Sequence, residues 1–319
     1  MTTDDSTMSA TCEPPMRLRA IVPWFGGKRR LAPLIVRQLG PHAQYGEPFC
    51  GSMAVLMIKP PVQQETVNDL HGDLTHLAFV LANPESAVKL YERLNGVLFS
   101  EAILCEAQAY LAEWLPPAAP EINLDRAFWF FIASWMGRNG TAGTLCADYQ
   151  IAVRWTHRGG SPTLRFRHAV ESIPAWHRRL QNVVILNRDA LRILDRFEDD
   201  PQTAIYVDPP YPLETRNCHS GKGFYVHEFE PPREDLFSPR RGDHERLAEI
   251  LHDYKRARIV LSSYDCLRIR SLYPRWTLLE CRMKKMLGRS NNRGPDAGQW
   301  APEILLINGP AVDVGSEAP

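Results

Sequence analysis

The chain has 319 residues, 44% of them apolar, and its 37 lysines and arginines balance 37 aspartates and glutamates. That size suits one large α/β domain carrying an inserted second one, and zero net charge leaves any nucleic-acid contact to local basic patches. The 7 cysteines are scattered, with no Cys-x-x-Cys pair or Cys/His cluster, and no apolar run approaches the ~18 residues of a membrane span, so a cytoplasmic protein with free thiols and no bound metal is expected.

Residues 1–16 are polar and acidic, lack the apolar core of a signal peptide, and read as a disordered tail. After Leu18–Val22 comes Trp24-Phe25-Gly26-Gly27-Lys28, then a helix predicted over Arg29–Leu39. A glycine pair before a helix lets backbone N–H groups approach an anion, and Lys28 adds a point charge. It lacks Walker spacing, and a plain turn with a surface lysine reads equally well. Gln44–Leu56 reads as strand end, tight glycine turn at Gly51 and helix start, the layout of a nucleoside-cofactor loop. Glu65–Leu70 is a second strand ending in Asp69, where a carboxylate can accept from ribose hydroxyls; a helix cap is the alternative.

Between Asp69 and Asn182 the βα rhythm stops. Helices are expected at Thr75–Val80, Ala87–Leu94, Ser100–Trp114 and Leu124–Met136, the last with an aromatic stripe read as core. A glycine-rich polar loop follows from Gly137, then Arg154–Gly160 and Arg165–His168, read as flexible loops. Arg138, Asn139, Arg154, Arg158, Arg165 and Arg167, with Arg178 and Arg179 beyond them, form a basic, aromatic-interleaved stretch suited to phosphate contact and base stacking. A solvated surface is the alternative.

The rhythm returns with a strand at Asn182–Leu186, Asp189 at its end, and an amphipathic helix turning Leu191, Leu194 and Phe197 inward. Ile205-Tyr206-Val207 is a buried strand stopped by Asp208-Pro209-Pro210-Tyr211, because neither proline can donate to a ladder. The result is a stiff loop at a strand's carboxyl end, carrying a carboxylate, fixed prolyl carbonyls and an aromatic ring. Those groups suit a planar ring bearing an NH2 group: two acceptors for the amine and a face for stacking. An ordinary Pro-rich turn is the plainer reading. Pro212–Asp243 is a long segment without periodicity that includes Arg216. A helix at His244–Tyr254 and strands at Arg258–Tyr264, Trp276–Glu280 and Glu303–Ile307 complete the chain, with a basic loop at Lys284–Trp300.

Trp24–Lys28, Glu47–Ser52, Asn68-Asp69 and Asp208–Tyr211, in this order and spacing, resemble the Dam-like DNA adenine-N6 methyltransferases of alpha motif order, and phage or prophage members in particular. The resemblance implies a Rossmann-like S-adenosylmethionine-dependent sheet over residues 17–74 and 181–310. It implies a mainly helical target-recognition domain at 75–180 and a tail at 311–319. Double-stranded DNA would be the partner, for a monomer or weak dimer near the nucleoid, in DNA methylation of the restriction-modification kind.

Carried over by position, Trp24, Gly26, Gly27 and Lys28 would lie near the cofactor's methionine part, and Glu47, Pro48, Phe49 and Gly51 would form the cofactor loop. Asp69 would hold the ribose and Asp189 the cofactor's adenine amine. Asp208, next to the cofactor, would act with Pro209, Pro210 and Tyr211 on a flipped adenine, and Arg216 would join the DNA contacts. Met53 departs from the pattern, standing where many relatives have a small glycine-like residue. Cytosine-N4 or RNA methylation, or DNA binding without catalysis, remain alternatives.

Overall fold

The computed structural model describes residues 18, 20–113, 121–138, 150–155, 160–215, 225–232, 240–284 and 300–312. In chain order the elements are α1 (Ala32–Leu39), β1 (Gln44–Glu47), α2 (Ala54–Ile58), β2 (Gln64–Asn68), α3 (Gly72–Ala82), α4 (Pro84–Asn95), α5 (Glu101–Glu113) and α6 (Leu124–Met136). They continue as α7 (Pro162–Glu171), α8 (Ile173–Leu180), β3 (Val183–Leu186), α9 (Ala190–Leu194), β4 (Thr203–Val207), α10 (Asp243–Asp253), β5 (Arg258–Tyr264), α11 (Leu267–Leu272), β6 (Thr277–Lys284) and β7 (Trp300–Ile307).

The strands form a seven-stranded sheet in the order β3-β2-β1-β4-β5-β7-β6. The pairs among β3, β2, β1, β4 and β5 are parallel, while β7 runs antiparallel between β5 and β6. From β1 the chain builds outward to β2 and β3; from β4 it builds the other way. The reversal between β1 and β4 is a topological switch point, where open sheets of this kind bind ligands beyond the carboxyl ends of the strands. Glu47, Asp69, Asp189 and Asp208 all lie at or just beyond such ends.

Period-two alternation divides the core into two layers. Ala204 and Tyr206 face one side with Tyr45, Val67, Leu77, Phe131 and Trp176; Ile205 and Val207 face the other with Leu191, Leu194, Leu247 and Leu251. The aromatic stripe of α6 is core: Phe128, Phe130, Phe131 and Trp135 are buried, and the Trp135 indole N–H donates to the Ile21 carbonyl oxygen at 3.1 Å. A Cβ on Gly46 in β1 would meet the Phe197 ring at 2.6 Å, so any larger residue there must displace that ring.

Helices α3–α8 fill the connection between β2 and β3 and share the first core layer with the sheet. Two readings change here. Arg165–His168 lies on α7, not on a loop, and α7 and α8 were not expected as helices. Arg179, counted in the basic stretch, is buried on α8, where its guanidinium donates to Glu65 of β2 at 2.8 Å and to the Leu56 carbonyl at 3.0 Å. Lys59 reaches the same Glu65 at 2.8 Å. Within the expected tail at 311–319, the Val312 N–H and carbonyl pair with the Gln38 side chain, each at 2.9 Å. The rest of that expected tail, and the N-terminal tail at 1–16, lie outside the described residues. No helix among the described residues is long and apolar enough to cross a membrane.

Candidate active site

The ends of β1, β2 and β3 are stitched together by Asn68. Its amide nitrogen donates to the carbonyl oxygens of Pro48 and Arg188, each at 2.9 Å, and its amide oxygen accepts from the Arg188 N–H at 2.9 Å. Asp69 then clamps the glycine turn, accepting from the Gly51 N–H at 2.8 Å and the His71 N–H at 2.9 Å. Burial raises the Asp69 carboxyl above its ordinary range, and those two N–H groups oppose the rise. Gly51 has φ +43°, and a Cβ on it would meet the Trp24 ring at 3.1 Å, so the turn is a cradle only glycine leaves open. Met53, two residues on, also adopts the left-handed region (φ 59°, ψ 32°) with its side chain fully buried. A residue with a Cβ costs roughly 1–3 kcal/mol in that conformation, which burial of the thioether side chain offsets.

Trp24, Gly26, Gly27, Lys28, Glu47, Pro48, Phe49, Gly51, Asp69, Asp189, Asp208, Pro209 and Pro210 all line one pocket at the carboxyl edge of the sheet. Asp189 also caps α9, accepting from the Leu191 N–H at 3.0 Å, and its side chain stays 47% exposed. The segment at 225–232, which carried no sequence signal, crosses the pocket: Phe229 lies edge-on to Phe49 at 5.6 Å and Tyr225 to Phe25 at 5.7 Å. A pocket with an open glycine cradle, aromatic walls and carboxylates at Asp69 and Asp189 fits a nucleoside cofactor bearing hydroxyl and amine groups.

At the other end of the pocket, Asp208 is held from both sides. The Ser262 hydroxyl donates to Oδ1 at 2.6 Å and the Lys28 ammonium lies 3.0 Å from Oδ2. The Tyr206 hydroxyl lies 2.9 Å from the Ser262 hydroxyl. Burial pushes the Asp208 carboxyl up, against the pull of Lys28 and Ser262. Burial also disfavours charge on Lys28, but Asp208 and Glu303 outweigh it and hold the ammonium above the ordinary lysine range. The surface-lysine reading is therefore replaced: Lys28 is 7% exposed.

Tyr211 differs from its expected display. It lies behind the pocket wall, with its hydroxyl donating to Glu303 Oε1 at 2.7 Å and its ring 4.7 Å from that of Tyr264. The Lys28 ammonium covers it, 4.8 Å from the ring centroid. Ser262, Tyr206 and Glu303 were not among the candidates. The small polar end of β5 hinted at Ser262, while an acid opening an apolar strand was the only trace of Glu303.

Glu47 is 2% exposed and accepts from the Tyr45 hydroxyl at 2.9 Å. Burial raises its carboxyl from 4.5 to about 8, so the folded chain keeps a proton that the unfolded chain releases. Stability from this group is full below the unfolded value and is lost as pH rises through about 8. Glu47→Gln should therefore flatten the fall in urea midpoint between about pH 5 and about pH 9. An unchanged slope would assign that fall to other groups.

Among the DNA-contact candidates, Asn139, Arg158 and Arg216 lie outside the described residues. Arg138 is exposed and donates to the Gln150 side chain at 3.0 Å, where Gly137 and Ile151 form an antiparallel bridge. Arg154 is exposed, and burial, with the field of Arg154 and Arg29 added to it, lowers the pKa of Arg165. Arg167 instead directs its guanidinium at the carbonyl oxygens of Asn95 and Val97, at 2.6 and 3.1 Å, beyond the end of α4. Among the described residues no cluster of His, Cys, Asp and Glu could hold a metal, and Cys50, Cys105, Cys266 and Cys281 are free thiols.

The sheet order, the switch-point pocket and the acids at the carboxyl ends of β1, β2, β3 and β4 make a Rossmann-like α/β fold. Residues 24–112 match the family model of the D12 class N6 adenine-specific DNA methyltransferases, which bears out the Dam-like resemblance. No curated protein matches the chain.

Proposed function

We propose that the protein is a site-specific DNA methyltransferase that takes its methyl group from S-adenosylmethionine and forms N6-methyladenine on a base flipped out of duplex DNA. The observation that carries this reading is the juxtaposition of Asp208 with the cofactor-type cradle, both opening on one pocket at the switch point. When bound, S-adenosylmethionine supplies an electrophilic methyl group on a sulfonium. Trp24, the glycines of residues 26–27 and 51, and the Glu47–Phe49 loop would hold it, with Asp69 toward the ribose and Asp189 toward the adenine.

The chain's own work is positioning and electrostatics. Flipping the base costs a few kcal/mol, and the pocket's contacts offset it. Asp208 and the Pro209 carbonyl accept the two amine hydrogens, which draws the nitrogen toward tetrahedral geometry and frees its lone pair from the ring. The Ser262 hydroxyl on Oδ1 keeps the carboxylate oriented in advance, so little reorganisation of it is needed as positive charge develops on nitrogen. Exposed Trp155 and Arg154 beside it support a duplex-binding role for the helical segment at 75–180, with Arg29 adding positive charge from outside it.

The test is mass spectrometry of nucleosides from unmethylated duplex DNA incubated with the protein and S-adenosylmethionine. N6-methyladenine is the expected product. N4-methylcytosine would keep the donor and change the base; no modified base with cofactor bound would favour RNA methylation or silent DNA binding.

A further inference from the structure

Lys28 occupies Asp208, the carboxylate proposed for the substrate amine. Its Nζ lies 3.0 Å from Asp208 Oδ2, donates to the Gly26 carbonyl oxygen at 2.6 Å, and sits over the Tyr211 ring at 4.8 Å. A nitrogen donor on Asp208 is what the flipped base is expected to bring, so an arriving amine competes with Lys28 for that carboxylate. The ammonium is buried, and a buried cation without an anionic partner is strongly disfavoured. Among the described residues one other carboxylate is within reach: Glu303 of β7, whose Oε1 lies 3.5 Å from Nζ and accepts the Tyr211 hydroxyl at 2.7 Å.

We propose that Glu303 is a positioning residue for the catalytic loop: it receives the Lys28 ammonium when a substrate amine takes Asp208, and it anchors Tyr211 through the hydroxyl. Lys28 is then a placeholder in the base site, with Asp208 as its partner before base entry and Glu303 as its partner after. The inference rests on the methyltransferase reading above. Nothing local in the sequence links these residues; β7 brings Glu303 to Lys28 and Tyr211 only because it inserts beside β5, with Glu303 paired to Tyr264.

Glu303→Gln separates the two tasks, since the amide oxygen still accepts from Tyr211 but carries no charge for Lys28. With the full-length chain, E303Q should lower single-turnover methyl transfer to DNA by about tenfold or more, while the Kd for S-adenosylmethionine by calorimetry stays within about twofold. Glu303→Asp should recover part of the rate, and Tyr211→Phe, which keeps the charge, should lose less than E303Q. A rate within about twofold of the parent in E303Q would overturn the proposal. So would a loss of cofactor affinity that matches the loss of rate, which would mark Glu303 as merely structural. Parent turnover on DNA is the control. Its absence overturns the methyltransferase reading and this inference with it, whereas parent turnover with an unaffected E303Q overturns the inference alone.

Discussion

Asp208→Ala is expected to lower methyl transfer to DNA by at least about a thousandfold and to leave S-adenosylmethionine binding within a few-fold of the parent. The fold should survive, because the carboxylate's two donors keep other partners: Lys28 retains Glu303 at 3.5 Å and the Gly26 carbonyl, and Ser262 retains the Tyr206 hydroxyl. The cradle is built by the turns after β1 and β2, at Gly51 and Asp69, with Trp24 from the segment before α1, and the Gly51–Asp69 hydrogen bond does not involve Asp208. Asp208→Asn sharpens the test, since it keeps an acceptor of the same shape and removes the charge; an intermediate loss would weigh charge against geometry. Single-turnover nucleoside analysis measures the rate, and calorimetry the binding. Lost cofactor affinity with transfer intact would reverse the assignment, moving Asp208 from the target base to the cofactor.

The largest effect on stability should come from Glu65→Ala, at about 3–5 kcal/mol, the range for breaking a buried ion pair. Glu65 is fully surrounded, with its side chain 1% exposed, and it is the carboxylate for two cations, Lys59 and Arg179, whose side chains are 1% and 6% exposed. Removing it leaves both positive groups facing each other under α8. Removing Arg179 instead leaves the Lys59–Glu65 pair at 2.8 Å intact, so Arg179→Ala should cost less than Glu65→Ala. Urea unfolding of the three chains, with slopes compared to exclude a change in the unfolded state, decides the order. Equal losses, or a Glu65→Ala midpoint matching the parent, would show that the cluster does not hold α8 to the sheet as described. The region at stake spans the connection from β2 to β3, so melting this cluster should also loosen the cradle at Asp69.

Much of the site was readable from the sequence, because strand ends and stiff loops are local features. Two consecutive prolines after Ile205–Val207 stop a strand regardless of what packs on it, and glycine before a helix start marks Gly51 as a turn. The aromatic run of α6 and the apolar run of β5 were long and continuous enough to give their observed bounds, Leu124–Met136 and Arg258–Tyr264. Helices α7 and α8 were hidden by prolines at their starts and by arginines and histidines; only packing reveals Phe166, Ala169, Val170, Ile173 and Trp176 as one buried side. What tertiary structure alone decided is which distant groups meet. Arg179 and Glu65 lie 114 residues apart, Tyr211 and Glu303 92 apart, and Ser262 and Asp208 54 apart. No spacing rule joins such pairs, because strand order within a sheet sets them. The residues of the cofactor loop and the Asp208 loop were thus determined by the sequence itself. The burial of Lys28, the turned-in Tyr211 and the role open to Glu303 arise only once β7 enters beside β5 and closes the site's far wall.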